Sequence, residues 1–73
     1  MSVNPIVVYR EKGEEGVRKL LNDIDNENII HIIRAYMPDM TRNIYRSKDR
    51  EKLIKYVVYR ASKLAEKGSV FMT

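Results

Sequence analysis

Apolar residues in the last third of the chain recur at intervals of three and four, and this pattern restricts the fold most. It continues for more than three helical turns. No glycine interrupts the sequence between Gly16 and Gly68. The pattern predicts one long amphipathic helix over residues 48–67, capped by Ser47 or Asp49 and ended by Gly68. Its predicted buried stripe consists of Leu53, Ile54, Val57, Val58, Ala61, Leu64 and Ala65.

A shorter stripe upstream predicts a helix for this one to pack against. Four apolar residues between Val17 and Ile24 stand at positions i, i+3, i+4 and i+7, which predicts a helix over residues 14–24. Residues 3–9 are apolar and rich in β-branched side chains, which favours a short strand or an extended arm. Residues 10–13 are then interpreted as a turn, so that residues 1–13 precede the first helix.

The middle of the chain predicts a second helix over residues 26–37. Asp25 or Asn26 provides an N-cap, and a broad isoleucine-rich face follows. Pro38 ends the helix, because the residue before a proline is disfavoured in the helical region. A basic connector over residues 38–47 leads to the third helix, and we expect Met40 and Ile44 to anchor this connector in the core.

Length and composition place these elements in one small domain. Seventy-three residues provide one thin core, so residues 1–73 are interpreted as a single, mainly α domain of three helices with a tail over residues 68–73. The chain contains no cysteine, which excludes disulfides and thiolate metal sites. No apolar run approaches the length of a membrane span, and the first residues lack a signal-peptide pattern. We therefore expect a cytoplasmic protein that does not bind membranes.

Charge divides the chain into two unequal parts. Residues 1–33 carry four basic against six acidic side chains, and residues 34–73 carry ten against four, within an overall net charge of +4. On a helical wheel, the side of the third helix opposite its apolar stripe holds lysines and tyrosines, diluted only by Glu51 and Glu66. A basic, tyrosine-containing face is suited to a nucleic-acid backbone and its bases. The candidate nucleic-acid-binding residues are Arg42, Tyr45, Arg46, Lys48, Arg50, Lys52, Lys55, Tyr59 and Lys63.

Three other interpretations compete with nucleic-acid binding. Lysine-rich helix faces are often only solvated surface, and an acidic protein surface would satisfy the same charges. The Ile29–Ile33 face is broader than so small a domain needs, which favours a protein-interaction or assembly domain, either an accessory subunit or a homodimer formed through that face.

Residues suited to catalysis are sparse. His31 is the sole histidine, and a zinc site usually needs three or four protein ligands. The acidic clusters lie at predicted helix ends, where capping explains them. We therefore expect no enzyme activity, no metal and no cofactor.

The segment from Asn26 to Tyr59 resembles the SAP module and the related N-terminal domain of transcription termination factor Rho. The resemblance covers about half of the chain and lies in a short helix, an extended loop and a second helix that opens with basic residues just before Leu-Ile. The matching stretch is Arg50-Glu51-Lys52-Leu53-Ile54-Lys55, with Val57 as the next core position. The resemblance implies that the loop and the start of the second helix contact nucleic acid, with DNA as the expected ligand.

Overall fold

Three α-helices form the described part of the protein. The computed structural model describes residues 4–38 and 43–72, with side chains described as far as Glu66. The helices are α1 (Pro5–Asn22), α2 (Asn26–Tyr36) and α3 (Arg50–Met72), and a single 3-10 turn spans Ile44–Arg46. The predicted mainly α fold of three helices is therefore confirmed.

The core lies between the three helices, with α3 packed chiefly against α1 and also against α2. The predicted stripe of α3 is buried as expected, except that Leu64 is only partly buried against the core. From α1 and α2 the fully buried partners are Val17, Leu21, Ile29, Ile33 and, just after α2, Met37. The apolar periodicity of the sequence thus identified the core-facing sides of α2 and α3, and that of α1 from Val17 onward.

The first helix begins nine residues earlier than predicted. Asn4 caps it, because its Oδ1 accepts a hydrogen bond from the backbone N–H of Ile6 at 2.9 Å, and Pro5 occupies the first turn. The prediction of a strand or extended arm was wrong for residues 5–9, whereas the N-cap Asn4 has extended backbone angles and residue 3 lies outside the described residues. An N-capping asparagine followed by a proline is a strong helix-start signal, and here it outweighs the β-branched run.

A sharp kink at Gly13 divides α1 into two segments. Gly13 has φ 72° and ψ −163°, a backbone conformation accessible almost only to glycine, so the kink lies at Gly13 and residues 10–12 are helical instead of forming the predicted turn. Gly16 is required by close approach: a Cβ there would lie 2.4 Å from Cβ of Lys12. The two glycines therefore permit α1 to bend at this point. Because the bend interrupts the helix, the regular apolar spacing of the sequence begins only after them.

The ends of α1 and α2 follow ordinary capping rules. The first helix ends at Asn22, two residues before the predicted end, with Asp23 as its C-cap. Asp25 caps α2, as one of the two predicted alternatives, since its Oδ1 accepts from the N–H of Asn28 at 2.9 Å. The helix ends at Tyr36, one residue early, where the N–H of Met37 still donates to the Ile33 carbonyl at 2.8 Å.

Only part of the connector is described. Residues 39–42, which include Met40, lie outside the described residues, so the anchoring role predicted for Met40 stays a prediction. Ile44 is partly buried and packs against the core, as expected.

The third helix is shifted towards the C-terminus relative to the prediction. It starts at Arg50, where Asp49 Oδ1 accepts from the N–H of Glu51 at 3.0 Å, and it continues to Met72. The prediction that Gly68 ends the helix, with a tail over residues 68–73, was therefore wrong up to Met72; Thr73 is not described. An interior glycine costs a helix only about 1 kcal/mol, and no proline follows to stop it.

We expect Gly13→Ala to lower the free energy of unfolding by about 1–3 kcal/mol, because a residue with a Cβ strains at this φ. Urea denaturation followed by circular dichroism measures the change. No heavy atom lies within 4 Å of the Cβ that alanine would add, so steric contact contributes nothing. D-Alanine, introduced by chemical synthesis, favours positive φ and is the matched control. Equal losses from both enantiomers would contradict the conformational explanation.

Candidate nucleic-acid interface

Four of the predicted residues form one exposed stripe along α3. Lys52, Lys55, Tyr59 and Lys63 are all exposed, and their spacing of three, four and four residues places them on one side of the helix. At 1.5 Å rise per residue the stripe is about 16 Å long. The opposite side of the same helix is the core, so the amphipathic pattern fixes which way the lysines face. We call these four residues the Lys/Tyr stripe.

Tyr59 lies in the middle of the stripe with an exposed ring. Its relative exposure is 60%, and Nζ of Lys63 lies 5.7 Å from the ring centroid, within the range of a cation–π contact. The backbone carbonyl of Tyr59 accepts a hydrogen bond from Oγ of Ser62 at 2.7 Å, within the same turn of helix. The stripe therefore presents an aromatic surface between positive charges.

The side chain of Arg50 points towards α1 and α2, whereas the predicted contact with nucleic acid required it to be accessible to a ligand. Its Nη2 donates to the backbone carbonyls of Leu21 and Ile24, both at 2.7 Å, and its Nη1 donates to Oδ1 of Asn26 at 3.1 Å. Leu21 lies in the last turn of α1, Ile24 in the link between the helices and Asn26 at the start of α2, and the guanidinium is partly buried among them. We refer to this set of hydrogen bonds as the Arg50 clamp. Its donors satisfy protein acceptors, so Arg50 is a structural residue.

The N-terminus of α3 already has an anionic partner. Asp49 caps the helix with its carboxylate, and the N–H of Asp49 itself donates to Oγ of Ser47 at 3.3 Å. The Asp49 carboxylate therefore occupies the helix N-terminus, where unpaired N–H groups would otherwise favour a phosphate. Lys48, just before the helix, is exposed, and its backbone carbonyl accepts from Nδ2 of Asn26 at 3.4 Å.

Glu51 lies beside the stripe, and its charge is balanced by α1. Nη1 of Arg18 donates to Oε1 of Glu51 at 3.2 Å, while Nε of Arg18 donates to Glu14 at 2.9 Å. These hydrogen bonds, with Glu14 and then with Glu51, raise the pKa of Arg18. Because the three side chains are largely exposed to solvent, these ion pairs add little to the free energy of unfolding. Their main effect is to offset the negative charge of Glu51 beside the stripe.

In the described part of the connector, one of the two predicted residues is exposed and the other is partly buried. Arg46 is exposed on the 3-10 turn, and Arg42 lies outside the described residues. Tyr45 is partly buried, and Cζ of Arg34 lies 4.8 Å from its ring centroid. Arg34 thus covers the ring that was predicted to contact nucleic acid, and it links the last turn of α2 to the 3-10 turn.

Two basic residues were missed by the sequence analysis. Arg34 is exposed on α2 near Tyr45, and Arg60 is partly buried on α3 with its Cζ 5.8 Å from the ring centroid of Tyr56. The i, i+4 spacing of Tyr56 and Arg60 was a usable local signal. The contact between Arg34 and Tyr45 depends on the path of the connector, which has no signature in a local pattern.

Most of the apolar surplus of α2 is covered within the chain. Ile29 and Ile33 are fully buried, while Ile30 and Ile32 are partly buried against the core. Among the described side chains, the large hydrophobic residues that are exposed are Val7 and Tyr59.

His31 is exposed on α2. In the part of the chain that the structure describes, no three histidine, cysteine or acidic side chains are grouped as a metal ion would require. Within residues 4–38 and 43–72, each helix is too short or too polar to traverse a bilayer.

We expect Arg50→Lys to lower the free energy of unfolding by about 1–3 kcal/mol, because a lysine cannot reproduce the forked hydrogen bonds to two carbonyls and an amide. Chemical denaturation monitored by circular dichroism measures the loss. Arg46→Lys is the matched control, and as an exposed substitution it should change stability by less than about 0.5 kcal/mol. Similar values for both variants would contradict a structural role of the clamp.

Comparison of the chain with protein-family models, with curated proteins and with solved structures finds no match. The resemblance to SAP modules therefore stays a prediction, and the function must be inferred from the residues of this chain alone.

Proposed function

We propose that this protein is a non-catalytic nucleic-acid-binding domain, with DNA as the expected ligand, and that it binds through the Lys/Tyr stripe. The observation that carries the proposal is the exposure of three lysines and a tyrosine along one side of a rigid helix. A helix fixed by its buried face holds these groups in place before binding, which lowers the entropy lost on association. Lysine ammonium groups contact phosphates, and such contacts supply sequence-independent affinity.

Neighbouring basic residues extend the proposed surface beyond the stripe. Lys48 and Arg46 are exposed in the segment that leads into α3, and Arg42 belongs to the proposed set although its position is not described. Tyr45 supports the surface indirectly, since its ring packs beneath Arg34. Arg34 is added to the set because it lies next to this segment and is exposed.

The proposal keeps the resemblance to SAP modules but changes the residue that contacts phosphate at the start of the second helix. The order of α2, connector and α3 agrees with the helix–loop–helix arrangement that the resemblance implies. Of the two basic residues before Leu53-Ile54, Arg50 is held by the clamp, whereas Lys52 is exposed. We therefore assign the phosphate contact at the start of the second helix to Lys52.

The competing proposal of an assembly domain has less support. It was motivated by an uncovered isoleucine face, and the buried and partly buried isoleucines of α2 fill the core of the same chain. A partner that offers an acidic protein surface would still satisfy the lysines. This partner is therefore an outcome that the binding test must distinguish.

The test compares two double variants with the same change of charge. Lys55→Gln with Lys63→Gln removes two proposed phosphate contacts, so affinity for DNA should fall and the slope of log K against log salt should become shallower by about 2. Fluorescence anisotropy with a labelled oligonucleotide, repeated over a salt series, measures both quantities.

Lys12→Gln with Lys19→Gln is the control, because both lysines are exposed on α1 and their loss lowers the net charge equally. It should leave the salt slope almost unchanged. Equal weakening by the two double variants would show that only net charge matters and would contradict binding through the stripe. Polyglutamate is included as a competitor. If it displaces DNA when both are present at the same concentration of negative charges, an acidic protein partner becomes the better proposal.

A further inference from the structure

The composition of the exposed side of α3 distinguishes between double-stranded and single-stranded ligands. Between Glu51 and Glu66 the exposed side chains are lysine, glutamate and tyrosine only. Of the side chains that commonly make paired hydrogen bonds to base edges in the major groove, lysine is among them, whereas arginine, asparagine and glutamine are not. Arg60 is partly buried and lies against Tyr56. Lysines also contact the phosphates of duplexes and single strands alike, so Tyr59 is the side chain that distinguishes the two ligands.

The exposed ring of Tyr59 is suited to a base that is not already stacked. In a duplex each base is covered above and below by its neighbours, so a side chain meets only base edges. In a single strand the faces of the bases are accessible, and aromatic side chains flanked by positive charge stack on them irrespective of sequence. Tyr59 is 60% exposed, and Lys55 and Lys63 lie one turn away on either side.

From these observations we infer that the protein prefers single-stranded nucleic acid, with a base stacked on Tyr59 and the flanking phosphates held by Lys52, Lys55 and Lys63. This inference rests on the proposed function and specifies the ligand of the same stripe. A stripe of about 16 Å accommodates a short run of nucleotides. Lys63 lies 5.7 Å from the ring centroid of Tyr59, where it can contact a phosphate next to the stacked base.

Acidic residues flank the stripe unequally. Glu51 lies just before Lys52 and is engaged by Arg18, which reduces its repulsion of phosphate. Glu66 is exposed beyond Lys63. A single strand can therefore continue past Glu51 towards the exposed Lys48 and Arg46, whereas Glu66 repels phosphate at the other end.

The test uses three ligands with matched numbers of phosphates: a single-stranded oligothymidylate of about 12 nucleotides, a duplex, and a single strand with abasic sites at its centre. The full chain should bind the oligothymidylate most tightly. Tyr59→Ala should weaken that binding by roughly tenfold, as expected for the loss of one base–aromatic stack. It should change binding to the abasic strand by less than about twofold, and Tyr59→Phe, which keeps the ring, should bind like the unaltered protein.

A spectroscopic readout separates stacking from an indirect effect on folding. Proton NMR should show the Tyr59 ring resonances moving upfield on addition of oligothymidylate and not on addition of the abasic strand. Circular dichroism of each variant checks that α3 remains helical, which the exposure of Tyr59 leads us to expect.

The possible failures are distinguishable. Duplex binding as tight as single-strand binding, with no effect of Tyr59→Ala, would overturn the single-strand preference and leave nucleic-acid binding through the lysines intact. Binding to none of the three ligands at low salt would overturn both proposals. A tenfold loss for Tyr59→Phe as well as for Tyr59→Ala would also overturn stacking, since it would assign the effect to the hydroxyl.

Discussion

The Arg50 clamp is the interaction on which the arrangement of the three helices depends most. Arg50 donates to the Leu21 carbonyl in the last turn of α1 and to the Ile24 carbonyl in the link that follows this helix. The same guanidinium binds Asn26 at the start of α2, and Asn26 in turn contacts the backbone of Lys48. One side chain thus joins the end of α1, the start of α2 and the start of α3.

The clamp also decides which cations of α3 are available to a ligand. Arg50 and Lys52 are only two residues apart, yet a helix separates them by about 200° around its axis. When Arg50 is turned inward, Lys52 must point outward, and the residues three, seven and eleven positions further along follow it. The most basic segment of the sequence is therefore divided by helix geometry into a structural arginine and a surface of lysines.

Features of the fold that depend on residues close together in the sequence could be predicted, and those that depend on distant residues could not. Local periodicity gave the buried sides of α2 and α3, and with them the outward direction of Lys55 and Tyr59. The start of α1 was not predicted although Asn4-Pro5 is a local helix-start signal, because the β-branched run that follows is equally typical of a strand. The role of Arg50 lay beyond local reasoning, since its partner Leu21 is 29 residues away. No periodic pattern encodes such a contact.

The pairing of Glu51 shows how α1 changes the electrostatics of α3. In an isolated helix, a glutamate four residues before a lysine forms a favourable pair, so Glu51 would attract Lys55. Packing of α1 against α3 instead brings Arg18 to Glu51, with Glu14 holding the same guanidinium. The acidic side chain nearest to the start of the stripe is thereby occupied by a residue from the acidic half of the chain, and Lys55 remains exposed to solvent. Folding therefore makes the start of the stripe more basic than the sequence indicates, because Arg18 compensates Glu51 while Lys52 and Lys55 remain exposed.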